Sequence, residues 1–277
     1  VPQPPCAGNS WPGGRRGEAP AVTENPDDQQ LLDALRATTR FARLTHDHEC
    51  PSTQDLAAQD QLPGDSIHWA DHQTRGRGRS DHVWQDEPGL DLAVTFRVQG
   101  FTPVAPLALP MAVPLAVAQT IEPHVAGAVR IKWPNDILVG GRKVCGILID
   151  GLGGSTPTWL LGIGLNVNRV RFPPELEHTS TSLALEGGRE LDRHQMLLAL
   201  ARQLDRVLEL ASGPRATELL PAYRTMLRLM GRKVEVRTHA EAVRGALIDV
   251  DFEQVTLDGG RKVPLGAVVA LREAASE

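Results

Sequence analysis

The sequence is poor in several things at once. Its 277 residues include three cysteines, one tyrosine and an aromatic content of 4%. Cys6, Cys50 and Cys145 are odd in number and widely scattered, which fits neither a disulfide framework nor paired metal ligands. No stretch approaches the roughly 18 consecutive apolar residues of a membrane-spanning helix. The N-terminus, which begins with Val1, lacks the apolar core of a signal peptide. A reduced cytoplasm is therefore the expected compartment, with no membrane partner. Surplus positive charge is lacking too. The formal net charge is −5, whereas nucleic-acid binders usually show a basic domain, so DNA is not expected as a partner.

What remains is ordinary for a folded chain, 41% hydrophobic and 23% charged, and long enough for one large domain and a small one. Residues 1–26 are rich in Pro and Gly and read as a disordered tail. The stretch 27–40 predicts a helix with Leu31, Leu32 and Leu35 on one face. From Gly64 the pattern turns strand-like, through "SIHWADHQ" and "LDLAVTFRV". Residues 105–122 predict a buried helix that Pro110 and Pro114 bend or delay. Four strand candidates follow, "VRIKW", "DILVG", "KVCGILID" and "TWLLGIGLNV". Their connectors are too short for crossover helices, which predicts an antiparallel meander. Helical periodicity returns over 192–211 and 215–230. The fold class expected over 27–230 is thus α+β, a mixed, largely antiparallel sheet flanked by helices. After Gly231 the short alternating strands of 231–277 predict a small C-terminal β-barrel domain.

One segment asks for a chemical explanation. In "QTRGRGRSDHVW" (73–84), Arg75, Arg77 and Arg79 alternate with Gly76 and Gly78. A solvated surface loop, an RG-type nucleic-acid segment and an anion cradle all remain open from these residues alone. In the cradle, glycine backbone and guanidinium groups would meet a phosphate or carboxylate. Further on, "KWPNDILVGGRKVCGILID" (132–150) puts Asp136 and Lys143 on the flanks of one hairpin. An acid able to hold Mg²⁺ and an amine able to meet a phosphate would share a neighbourhood there. "GIGLNVN" (162–168) carries two glycines inside a buried strand. They mark either a tight sheet corner or close approach by a ligand.

Taken in order, "GRGR…W", "KWPND" with "GRKVCGIL", and "GIGLNVN" resemble the biotin–protein ligases. The resemblance runs from about residue 45 to the C-terminus, and "PSTQD" is similar to that family's Ser-Thr-Asn motif. It implies a class II synthetase-like catalytic domain with an SH3-like C-terminal barrel. It implies ATP-dependent attachment of biotin, through biotinyl-5′-adenylate, to a lysine of a carboxylase's biotin carboxyl carrier domain. Biotin, ATP and Mg²⁺ would be bound, with no tightly held prosthetic group. On the biotin side it places Ser52, Thr53, Gln54, Gln73, Arg77, Gly78, Arg79, Lys143, Gly146, Leu148, Gly162 and Gly164. The nucleotide side would take Arg79, Trp84, Asn135 and Asn166, with Asp136 near Mg²⁺. Lys143, Arg77 and Arg79 would carry the catalytic charge, the arginines on a loosely held lid. Gln54 departs from the family's Asn by one methylene, and "SDHV" replaces an Arg/Gly-rich continuation after Arg79. The Pro/Gly-rich start implies a form without an N-terminal DNA-binding domain, and a homodimer through the sheet edge is left open. A lipoate or octanoate ligase, or a non-catalytic biotin sensor, are the alternatives. The first is disfavoured by the arginine–glycine loop, the second by retention of Lys143 and Asp136.

Overall fold

Strands joined by short connectors must turn back on themselves. The middle of the chain does so in the computed structural model, which describes residues 25–79 and 82–274. Strands β1 to β7 are Arg43–Cys50, Ser66–Gln73, Leu92–Gln99, Val129–Lys132, Asp136–Val139, Arg142–Leu152 and Thr158–Leu165. β4 to β7 pair antiparallel in sequence order. β7 then pairs with β3, and β3 with β2, again antiparallel. The order across the sheet is β1-β2-β3-β7-β6-β5-β4. The outer strand β1 is the exception, parallel to β2, because helix α2 (Thr53–Gln59) separates the two as a crossover. β1 escapes periodicity arguments. As an edge strand reading RLTHDHEC it buries only Leu44 and Cys50.

Helices cover one face of this sheet. α1 (Pro26–Thr38) starts where Asn25 accepts a hydrogen bond from the Asp27 N–H at 3.0 Å. Of the tail expected over 1–26, residues 1–24 lie outside the described residues. α3 (Ala108–Ile121) is buried along nearly its whole length. Pro110 falls in its first turn, where the missing N–H is not needed, and Pro114 lies inside the helix. A short α4 (Leu183–Gly187) is capped by the Ser182 hydroxyl. α5 (Arg193–Ala211) buries Leu197, Leu200, Leu204, Val207 and Leu208, and α6 (Leu219–Leu227) follows. The side chains of Val94, Phe96, Cys145, Ile147, Leu161 and Ile163 join α3 and α5 in one core. Each fully buried large apolar side chain there contributes about 1.5–3 kcal/mol. The opposite face of the same strands is covered in part by α2, and the cleft forms on it.

The C-terminal part is a second, five-stranded sheet. β8 (Lys233–Thr238), β9 (Ala242–Val250), β10 (Gln254–Leu257), β11 (Lys262–Pro264) and β12 (Val268–Glu273) are ordered β11-β10-β9-β8-β12. Every pairing in it is antiparallel. Glu235 draws in three arginines, Arg237 at 3.1 Å, Arg244 at 3.0 Å and Arg272 at 2.6 Å. Those contacts hold its carboxyl at about 2, Arg272 contributing most. The indole N–H of Trp133 donates to the Val268 carbonyl at 2.8 Å, tying this sheet to the β4–β5 turn. Among the described residues no helix is long and apolar enough to cross a membrane.

Candidate active site

Side chains alternate along a strand, so a cross-strand row shares one face. Two such rows floor a cleft of about 790 Å³. The first runs Lys132–Asp136–Gly146–Gly164–Ala93 through successive cross-strand pairs. The second runs Leu148–Gly162–Thr95. The glycines are there for close approach. A Cβ on Gly164 would overlap the Trp84 indole, and one on Gly162 would overlap the Gln54 amide oxygen. On Gly146 it would come within 3.1 Å of Trp84 Cζ3 and 3.2 Å of Lys143 Nζ. The two glycines of "GIGLNVN" thus lie two residues apart on the cleft side of β7, where the Gln54 and Trp84 side chains approach them.

The closed end is built at the start of α2. Ser52 is its N-cap residue, yet its hydroxyl makes no capping bond. That buried oxygen finds no partner among the described residues, which suits a polar ligand group. Thr53 donates from its backbone to the Gln73 amide oxygen at 2.9 Å, and both side chains line the cleft. Gln54 is buried, and its extra methylene carries its amide to the Asp150 carboxylate at 3.2 Å. The Trp84 indole N–H, over the Gly146–Gly164 floor, is likewise buried without a partner among the described residues.

At the other end two ammonium groups flank one acid. Lys143 Nζ lies 2.7 Å from Asp136 Oδ1, and Lys132 Nζ lies 3.1 Å from Oδ2. Both carboxylate oxygens are therefore engaged by lysines. Among the described residues, no group of three or more His, Cys, Asp or Glu side chains is arranged to hold a metal ion. Asp136, expected near Mg²⁺, is held here by the two lysines. The carboxylate positions Lys143, whose ammonium also lies 5.8 Å from the Trp84 ring centre.

The arginine–glycine segment forms a tight hairpin. Gly78 N–H donates to the His82 carbonyl at 2.8 Å, and Trp84 N–H to the Gly76 carbonyl at 3.0 Å. A Cβ on Gly78 would stand 2.8 Å from the His82 carbonyl oxygen, and one on Gly76 would strike that of Trp84. The alternating glycines, expected to leave the loop loose, let its two arms lie this close. Arg77, Gly78 and Arg79 face the cleft. The departures at Ser80 and Asp81 lie outside the described residues.

Of the remaining sequence candidates, Leu148 and Asn135 line the cleft, and the Asn135 amide also donates to the Ile147 carbonyl at 3.2 Å. Asn166, expected on the nucleotide side, is not among the residues that line the cleft. Its amide is buried and bonded to the Thr181 carbonyl at 2.8 Å, which turns it away from the cleft toward the segment before α4. Sequence reasoning missed Thr95, His239, Val269 and Ala270, all in the lining. Thr95 carries a faint signal as the one hydroxyl inside an apolar strand, whereas the other three arrive with the second sheet. Thiol chemistry at the two described cysteines is disfavoured. Burial pushes Cys50 up to about 12 and raises Cys145 further, the latter opposed only in part by Lys143.

Residues 41–168 match the profile of the Biotin/lipoate A/B protein ligase family. The chain is 34% identical over 214 residues to the biotin--[acetyl-CoA-carboxylase] ligase of Mycobacterium tuberculosis, covering 73% of this chain and 78% of that protein. It is 35% identical over 174 residues to the bifunctional ligase/repressor BirA of Bacillus subtilis. That match covers 60% of this chain and 54% of BirA, so the chain spans about half the length of such relatives. Its fold is similar to that of the biotin protein ligase from Aquifex aeolicus in complex with biotin and ATP. The TM-score is 0.72 at 24% identity, over 84% of this chain and 100% of that one.

Proposed function

We propose, since this chain belongs to the biotin/lipoate A/B protein ligase family, that it joins biotin to a lysine of a biotin carboxyl carrier domain at the expense of ATP. One observation carries the reading. An orphaned hydroxyl at the closed end, a glycine floor under an indole, and a lysine oriented by an acid all converge in one cleft. The biotin ring would enter the closed end against Ser52, Thr53 and Gln73, its tail lying over Gly162 and Leu148. Adenine would share the Gly146–Gly164 floor with Trp84, near Asn135. A biotin carboxylate oxygen would then bond to the α-phosphorus as pyrophosphate leaves. The carrier's amine would next attack the acyl carbon, lose a proton and release AMP.

Two anions must meet in the first step, at a cost of several kcal/mol unless cations lie between them. Lys143 supplies one such cation, and Arg77 and Arg79 overhang the same space. Magnesium would arrive on the triphosphate, held chiefly by its phosphates. We read residues 27–230 as a class II synthetase-like catalytic domain and 231–277 as an SH3-like barrel. The short, all-antiparallel strands of the second sheet support the latter. The test is incubation with biotin, MgATP and a carrier domain, followed by intact mass of the carrier. A single biotinyl addition, lost when the acceptor lysine is replaced, is the expected result. An unchanged carrier mass with active controls overturns the reading.

A further inference from the structure

Seven side chains link the closed end of the cleft to the arginine hairpin. The Gln73 amide oxygen lies 3.1 Å from the Thr53 hydroxyl, and that hydroxyl 2.9 Å from the Thr95 hydroxyl. The Thr95 hydroxyl lies 3.0 Å from the Gln54 amide oxygen. Gln54 Nε2 donates to Asp150 Oδ2 at 3.2 Å and to the Leu160 carbonyl at 3.4 Å. The same Asp150 oxygen accepts from Arg77 Nη2 at 3.3 Å, while Arg77 Nη1 reaches Asp55 at 3.1 Å.

Counting protons gives this chain a direction. Two threonine hydroxyls hold two protons for three oxygen–oxygen contacts. Gln73 already accepts the Thr53 backbone N–H at 2.9 Å. Both buried amide oxygens are satisfied when Thr53 donates to Gln73 and Thr95 donates to Gln54. Gln54 cannot be turned the other way, because its oxygen would then face the Asp150 carboxylate, which only accepts. Asp150, together with the more distant Leu160 carbonyl, therefore fixes the Gln54 amide, and through it the direction in which the Thr95 hydroxyl donates. The asparagine of the related motif, one methylene shorter, would fall short of that contact.

We propose that Asp150 is a positioning residue that couples the two parts of the site. It sets which hydrogen-bonding groups the closed end offers to a ligand, and with Asp55 it holds Arg77 until an anionic ligand takes the guanidinium over. The ligand half of this rests on the reading of the cleft as a biotin and ATP site. The Arg77 half does not. Arg77, Asp55 and Asp150 side chains are 46%, 41% and 32% exposed, so the ion pairs are weak. A carboxylate or phosphate offering a bidentate contact displaces such pairs.

Asp150→Asn and Asp150→Ala separate the two halves. The asparagine keeps an oxygen for Gln54 but loses the charge that holds Arg77, whereas alanine loses both. In the ligand-free protein, limited trypsin cleavage within 75–79 should accelerate severalfold in both variants. In calorimetric biotin titrations, Asp150→Ala should bind about tenfold more weakly. Asp150→Asn should stay within about threefold of wild type, since its carbonyl still accepts from Gln54. Unchanged trypsin rates in both variants would overturn the hold on Arg77. Wild-type biotin affinity in Asp150→Ala would overturn the polarity argument, as would equal weakening by both variants. Should Asp150→Ala not fold, the trypsin rate of Asp150→Asn decides the first half and its biotin affinity the second. A wild-type protein that binds no biotin would sink the functional reading, while the ligand-free trypsin comparison would still judge the hold on Arg77.

Discussion

Lys143 depends on a neighbour for its place. Its ammonium sits 2.7 Å from Asp136, at the edge of the glycine floor. Lys143→Ala removes a charge contact that is strongest in the transition state and should slow adenylation roughly 10²- to 10³-fold. Biotin-dependent pyrophosphate release measures this, and a rate within a few-fold of wild type would show that Lys143 does not meet the reacting groups. Gly164 makes a different kind of contribution. In Gly164→Ala the new methyl overlaps the Trp84 indole and must lift it, a distortion worth about 1–3 kcal/mol. The KM for ATP should rise roughly tenfold or more while that for biotin moves little. Equal rises in both would place the indole over the wrong ligand. Lys143 and Gly164 were legible as motif members. Asn166 stands in the same motif as Gly164, but its direction depends on the distant Thr181 carbonyl that it bonds.

Elements were legible in proportion to how strongly they alternate. α5 announces itself by apolar spacing and by Asp192, whose carboxylate accepts from the N–H groups of His194 and Gln195 at 2.8 and 3.2 Å. Asp192→Ala should cost about 1 kcal/mol of stability, read as a lowered urea midpoint with an unchanged slope. No change would mean that packing alone sets where α5 begins. β1 and α2 gave no such signal, because the residues that they bury are few, partly polar and not regularly spaced. The arginine hairpin lies between these extremes. Its glycines suggest freedom when read singly, yet pairing of its arms turns the same glycines into a requirement for close approach.

The two sheets share one site, and the second sheet carries an ion cluster of its own outside the cleft. Glu235, held at about 2 by Arg272, Arg244 and Arg237, titrates below its ordinary 4.5. A depressed carboxyl stabilises the fold fully above its ordinary value, and that stability is lost as pH falls toward about 2. Urea midpoints between pH 5 and pH 2 should therefore fall less steeply in Glu235→Gln than in wild type, and parallel profiles would mean that Glu235 is not the group titrating. The helix periods, the antiparallel meander and the order of the glycine, lysine and arginine motifs follow from residue spacing, because local backbone geometry repeats every 2 or 3.6 residues. Register lies beyond that reach. Which oxygen of Asp136 meets which lysine, where the Gln54 amide ends, and whether Val269 and Ala270 wall the cleft all depend on strands brought together from distant parts of the chain. Side-chain contacts are set by that packing, and a pattern of neighbours along the chain does not encode it.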